Sequence, residues 1–151
     1  MTSDKWLVVS YRAISILGIL IFLDQLTKWL AFRFEPFGLT GILYLAHFKN
    51  ENFAFSFILP ITVMYALYFV GLLNILLYLW KKSEDLSNLE KLAWLFVISG
   101  AFSNVGERII TGHVKDFVGI LNGVFNLADG YILAGIILLL IANFKLKSWK
   151  A

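Results

Sequence analysis

The chain has 151 residues, of which 60% are hydrophobic, 17% aromatic and only 15% charged, with a formal net charge of +3 and no Cys. An ordinary soluble domain has roughly 45–50% apolar and about 25% charged residues, so this composition excludes a water-soluble globular protein, whereas four membrane spans of about 20 residues each would absorb most of the apolar side chains. Without Cys there is no disulfide and no thiolate nucleophile or metal ligand, and the basic residues flank apolar runs instead of forming a nucleic-acid surface.

In chain order, the first apolar run covers 13–23 and continues through Asp24, Gln25, Thr27 and Lys28 to about 34. No small-x-small cleavage site follows it and its polar cluster lies within the run, so a retained helix is expected rather than a cleaved signal peptide. The run at 61–80 carries one strongly polar residue, Asn74, and is expected to span as part of 59–80. The run at 92–102 is short and spans only if its helix covers about 89–106, past Ser103 and Asn104. The last, at 131–144, needs a start near 126, which puts Asp129 in its first turns.

The expected class is therefore a mainly α integral membrane protein, a single domain over 1–151 with four transmembrane helices. Lys5, Arg12, Lys81, Lys82, Lys91, Lys145, Lys147 and Lys150 lie on one side, against Lys28, Arg33, Lys49, Arg108 and Lys115 on the other. The positive-inside rule then puts both termini in the cytoplasm. Residues 33–57 and 107–125 face outward. Partial alternation over 42–48 predicts a strand-containing element at the membrane surface, and 83–88 reads as a cytoplasmic connector.

Ionisable residues within spans are costly and need partners. Asp24 and Lys28 stand at i and i+4, a spacing that fits either structural neutralisation or substrate binding. Asn104 and Arg108 share that spacing; the arginine can snorkel to lipid phosphate, or bind a head group or a carboxylate. Singly, Asp116 reads as a solvated loop residue and Asp129 as an acid at a helix N-terminus. Brought together in a partly dry site, they would share a proton and activate water. Thirteen positions separate them, and spacing alone does not bring them into contact. His47 and His113 fit no metal-ligand spacing and read as ordinary surface or interfacial histidines. Ser99 and Ser103 have no neighbouring base in sequence to make a nucleophile.

Five blocks, in order, resemble the lipoprotein signal peptidase (signal peptidase II) family. Asp24-Gln25-Leu26-Thr27-Lys28 resembles D-Q-x-T-K, and Asn50 through Ala54, Phe55 and Ser56 resembles N-x-G-x-A-F-S. Residues 100–108, from Gly100 through Asn104 to Arg108, resemble G-A-L-G-N-x-x-D-R. Residues 112–117, with Asp116, resemble G-x-V-x-D-F, and Phe125-Asn126-Leu127-Ala128-Asp129 matches F-N-x-A-D. The resemblance implies a four-helix bacterial inner-membrane aspartic endopeptidase with an extracytoplasmic β-containing cradle and a short outer helix or loop. Such an enzyme removes the signal peptide from diacylglyceryl-modified prolipoproteins, cleaving before the lipidated Cys.

By that resemblance Asp116 and Asp129 are the catalytic pair. Asn104, Arg108 and Asn126 shape the site, with Asp24, Lys28, Asn50 and Gly100 in support. No metal or cofactor is implied. The partners are the lipid-modified substrate and membrane lipids, a monomer suffices, and the site lies near the outer leaflet. Asn126, one turn before Asp129, is expected to fix its carboxylate.

The chain departs from the pattern at Asn52, where the family has Gly, and at Phe53, Ser103 and Glu107; Glu107 replaces Asp with one methylene more, and 117–125 is short. These departures leave room for a relative that binds lipidated peptides without cutting them. A small transporter is the alternative from another class, although neither an internal repeat nor broken midplane helices are found.

Overall fold

The computed structural model describes residues 3–52, 59–82 and 84–148. Four long helices and a small sheet follow one another: α1 (Ser3–Ala31), β1 (Phe37–Gly38), β2 (Leu43–Asn50), α2 (Ile61–Lys82), α3 (Asn88–Thr111), β3 (Val114–Ile120), β4 (Gly123–Phe125) and α4 (Leu127–Ser148). Among the described residues, three of the helices are long and apolar enough to cross a membrane: α1 over Tyr11–Ala31, α2, and α4 over Leu127–Phe144. The expectation of four spans is thus met by three on length and composition. The helix that falls short is α3, because Glu90, Lys91, Glu107 and Arg108 interrupt its apolar surface.

Helix boundaries follow local chemistry. Ser87 and Glu90 form a reciprocal capping box that starts α3, satisfying two N–H groups that the first turn leaves over. Gly112, at φ 80°, closes it in the left-handed conformation that glycine adopts without strain, its N–H returning to the Arg108 carbonyl. This cap carries α3 on to Thr111, so Glu107 and Arg108 lie inside its last turns.

Polarity is inverted relative to a soluble protein. Large apolar side chains such as Phe22, Phe69 and Phe144 are exposed, while Asp24, Lys28, Ser99 and Asp116 are among the most buried side chains. Lipid solvates the first group. The second must be satisfied from within. Helices α3 and α4 pack closely because Gly100 has no side chain: a Cβ there would collide with the Ala128 carbonyl and Ile132. An apolar cleft lined by Leu67, Gly71, Ile75, Ala101 and Val105 lies between α2 and α3.

The strands form one antiparallel sheet in the order β1-β2-β3-β4, so the predicted outer strand at 42–48 is present as part of β2. A register shift between Leu45 and Phe48 leaves Phe48 opposite Asp116 and Asn50 opposite Val114. The β3–β4 hairpin turns through Leu121, a non-glycine residue at φ 52°, and sets Val118 opposite Phe125. Continued by two residues, that register brings Asp116 level with the first turn of α4. The hairpin thus closes the sequence gap between Asp116 and Asp129.

Candidate active site

Asp116 projects from β3 and is almost completely buried. One carboxylate oxygen accepts from the Asn126 side-chain amide, the other from the Asn50 amide at 3.2 Å. Burial raises its pKa from the ordinary value of 3.8 to about 6; the Asp129 charge adds to the rise, while the Asn126 and Asn50 hydrogen bonds and the Lys28 charge oppose it. Asp116 therefore exchanges its proton close to neutral pH.

Asp129 stands at the third position of α4 and is paired with the N-cap, Asn126. The Asn126 backbone N–H donates to one Asp129 carboxylate oxygen at 3.1 Å, and the Asn126 side-chain oxygen accepts from the Asp129 N–H at 3.0 Å. This reciprocal cap places a carboxylate at the positive end of the helix. The expected bond from Asn126 to the Asp129 carboxylate is present, made by the backbone N–H. The side-chain amide of the same residue reaches Asp116. Asn126 thus bridges the two aspartates.

A buried polar layer supports this pair. The Asn104 amide donates to the other Asp129 oxygen at 2.8 Å, and its own oxygen accepts from Lys28 Nζ at 2.9 Å. Lys28 also forms ion pairs with Asp24 and Glu107, each at 2.8 Å. Asp24 accepts from the Ala128 N–H at 2.8 Å and from the Ser103 hydroxyl at 2.6 Å, joining α1 to the start of α4 and to α3. The i, i+4 pair of Asp24 and Lys28 is therefore an internal brace as well as a neutral pair.

Arg108 does not snorkel to the surface; it is buried. Nη1 donates to the Tyr68 hydroxyl at 2.6 Å and Nη2 to the Asn50 carbonyl at 3.2 Å, and the guanidinium carbon lies 5.7 Å from the Tyr68 ring centroid. Asn50 in turn holds Asp116. Gly100 sits away from the carboxylates, where it lets α3 approach the Ala128 carbonyl beside Asp129.

All nine residues singled out from sequence thus lie in the described part of the protein, and all but Gly100 join one hydrogen-bonded system. Sequence reasoning missed Tyr68 and Tyr65, the latter donating to the Arg108 carbonyl at 3.3 Å. Their signal in the sequence is the pair of tyrosine hydroxyls at i and i+3 near the start of a mostly apolar helix. Phe53, Ala54, Phe55 and Ser56 of the second motif lie outside the described residues. Asn52, in the position of the family's Gly, donates its N–H to Asn50 Oδ1 at 3.1 Å, so the Asn50 side chain forms the local turn. His47 stacks on Phe32 and bonds the Ala31 carbonyl. Among the described residues no group of three or more His, Cys, Asp or Glu is placed to hold a metal.

The signal peptidase (SPase) II family model matches residues 16–145. Similar proteins include lipoprotein signal peptidases of Bartonella tribocorum, 32% identical with 84% of this chain and 81% of the relative covered, and Caldicellulosiruptor bescii, 38% identical with 78% and 80% covered. That of Gloeothece citriformis is 32% identical, covering 98% of this chain and 94% of the relative. A solved bacterial membrane enzyme shares the fold, with a TM-score of 0.76 at 24% identity over 93% of this chain and 92% of that one.

Proposed function

We propose, on the premise that this chain belongs to the signal peptidase II family, that Asp116 and Asp129 are the catalytic pair of an aspartic endopeptidase. The chain removes signal peptides from bacterial lipoproteins, and the alternative of a small transporter or inert binder is not favoured. The observation that carries the catalytic reading is the bridge through Asn126, which joins a strand aspartate to a helix aspartate.

Two carboxyl groups coupled in this way hold one proton between them. The ionised member takes a proton from water as the water oxygen attacks the scissile carbonyl carbon. The protonated member donates to the carbonyl oxygen, and collapse of the tetrahedral intermediate passes a proton to the leaving nitrogen. Asn104, Asn126 and Asn50 orient the carboxylates, Arg108 fixes Asn50, and Asp24 with Lys28 holds the helices in register. Gly100 permits the α3–α4 approach.

The remaining features of the reading rest on the same family and on the charge pattern. Residues 1–151 form one domain in the bacterial inner membrane, with α3 as a fourth span whose buried Glu107 is paired with Lys28 and whose buried Arg108 is held by Tyr68 and Asn50. Both termini are cytoplasmic, and the site sits near the outer leaflet at the common end of α1, α3 and α4. The substrate is a diacylglyceryl-modified prolipoprotein cut before its lipidated Cys, in contact with membrane lipids. One copy suffices, since every catalytic partner comes from a single chain.

Purified protein in detergent, incubated with a diacylglyceryl-modified prolipoprotein and followed by gel shift and mass spectrometry, tests this reading. Wild type is expected to cut before the lipidated Cys, and D116N and D129N, each folded, are expected to leave the substrate intact. Cleavage by either variant at the wild-type rate would refute the aspartic pair.

A further inference from the structure

Glu107 has no part in the chemistry above, yet it is buried. Charge balance does not require it, because Asp24 alone neutralises Lys28 at 2.8 Å. A second carboxylate taken out of water carries a desolvation cost, so its presence calls for a structural return. Its two oxygens go to different elements. Oε2 lies 2.8 Å from Lys28 Nζ on α1, and Oε1 accepts a long 3.4 Å bond from the Lys115 N–H on β3.

Each leg leads to one aspartate. Lys115 precedes Asp116 directly, so its N–H fixes where β3 begins relative to α3. Lys28 also donates to Asn104 Oδ1, and an ammonium has no acceptor, so Asn104 must turn its oxygen to Lys28 and its amide nitrogen to Asp129. We infer that Glu107 is a positioning residue for peptide hydrolysis, tying β3 to α1 so that Asp116 and Asp129 are held in register. Aspartate, the family's residue here, is about 1.5 Å shorter and would not reach both partners from this backbone. The inference rests on the reading of Asp116 and Asp129 as the catalytic pair.

The test compares wild type, E107D, E107Q and D116N as full chains in detergent. It measures kcat and KM for a diacylglyceryl-modified prolipoprotein peptide, and amide hydrogen exchange over residues 114–118. E107D keeps the charge and shortens the reach. E107Q keeps the reach and leaves Lys28 paired with Asp24, so it remains informative if E107D fails to fold. Both are expected to lower kcat at least tenfold with KM within twofold, and to speed exchange over 114–118 at least tenfold while helicity is retained. Wild-type kcat in folded E107D and E107Q, a loss confined to KM, or unchanged exchange overturns the inference. With D116N inactive, such a result sinks the role of Glu107 alone, whereas cleavage by D116N sinks the catalytic pair itself.

Discussion

Asn126 and Asp129 exchange hydrogen bonds across the first turn of α4, and the Asn126 side-chain amide, which that exchange does not use, holds Asp116. One N-cap therefore sets both the start of a helix and the spacing of two carboxyl groups. Helix capping and the geometry of the proposed catalytic pair become the same constraint.

Replacing Asn126 separates the two contributions. N126A removes the cap and the grip on Asp116, and is expected to cost about 1 kcal/mol of stability and to lower kcat by roughly a hundredfold. N126D keeps an oxygen to accept from the Asp129 N–H but presents no amide to Asp116. Its new carboxylate faces Asp116 with no proton donor between them, so its cleavage should be impaired at least as much as that of N126A. Equal activity of N126D and wild type would show that the amide is dispensable.

Asp116 makes stability depend on pH. Its folded-state pKa of about 6 lies above the ordinary value of 3.8, so the folded protein holds this proton more tightly than the unfolded chain. The stabilising contribution is complete below about pH 4 and is lost as pH rises through 6, amounting to about 3 kcal/mol at most. Asn cannot ionise, so D116N is expected to melt higher than wild type at pH 8 and to lose that advantage near pH 4. Thermal melts in detergent across this range check it; a wild type more stable at pH 8 than D116N contradicts the assigned burial.

Much of this arrangement is legible in the sequence. Helix α2 was plain because Asn74 is the only strongly polar residue in its run, and Asp24 with Lys28 announced a shared helix face. The convergence of Asp116 and Asp129 was not legible from spacing, because it depends on the β3–β4 register, and a hairpin position cannot be read from 13 intervening residues. Motif resemblance supplied that pairing. Helix α3 is obscured for the opposite reason: Glu107 and Arg108 look like a helix end in water, yet Glu107 pairs with Lys28, and Arg108 donates to the Tyr68 hydroxyl and the Asn50 carbonyl inside the protein. Ser103, a departure from the family's Gly, gives a hydroxyl to Asp24, a partner 79 residues away that no local pattern marks.

Arg108 is expected to tolerate no substitution by lysine. Its two terminal nitrogens serve different elements, Tyr68 on α2 and the Asn50 carbonyl at the end of β2. A lysine ammonium lacks the rigid fork that reaches both. R108K should lower kcat/KM by roughly ten- to a hundredfold, as expected for lost charge-assisted bonds of about 1.5–3 kcal/mol. Y68F, which removes one acceptor and leaves the Asn50 contact, should lose less. Steady-state cleavage by the two variants ranks the two arms, and a larger loss in Y68F than in R108K would place the critical contact on α2 instead.

The close approach at Gly100 carries the last expectation. A methyl group there would meet the Ala128 carbonyl, backbone that cannot rotate away as a side-chain tip can, together with Ile132. G100A must push α4 outward, and overpacking of this kind costs about 1–3 kcal/mol. Ala128 is adjacent to Asp129 and donates its N–H to Asp24, so the displacement reaches the carboxylate pair and its brace together. G100A is expected to melt lower than wild type and to lose kcat even at temperatures where it is fully folded, with G100V more severe in both respects. Measuring kcat well below each variant's melting temperature distinguishes displacement from unfolding: a G100A enzyme with wild-type kcat there would mean that α4 absorbs the methyl group without moving Asp129.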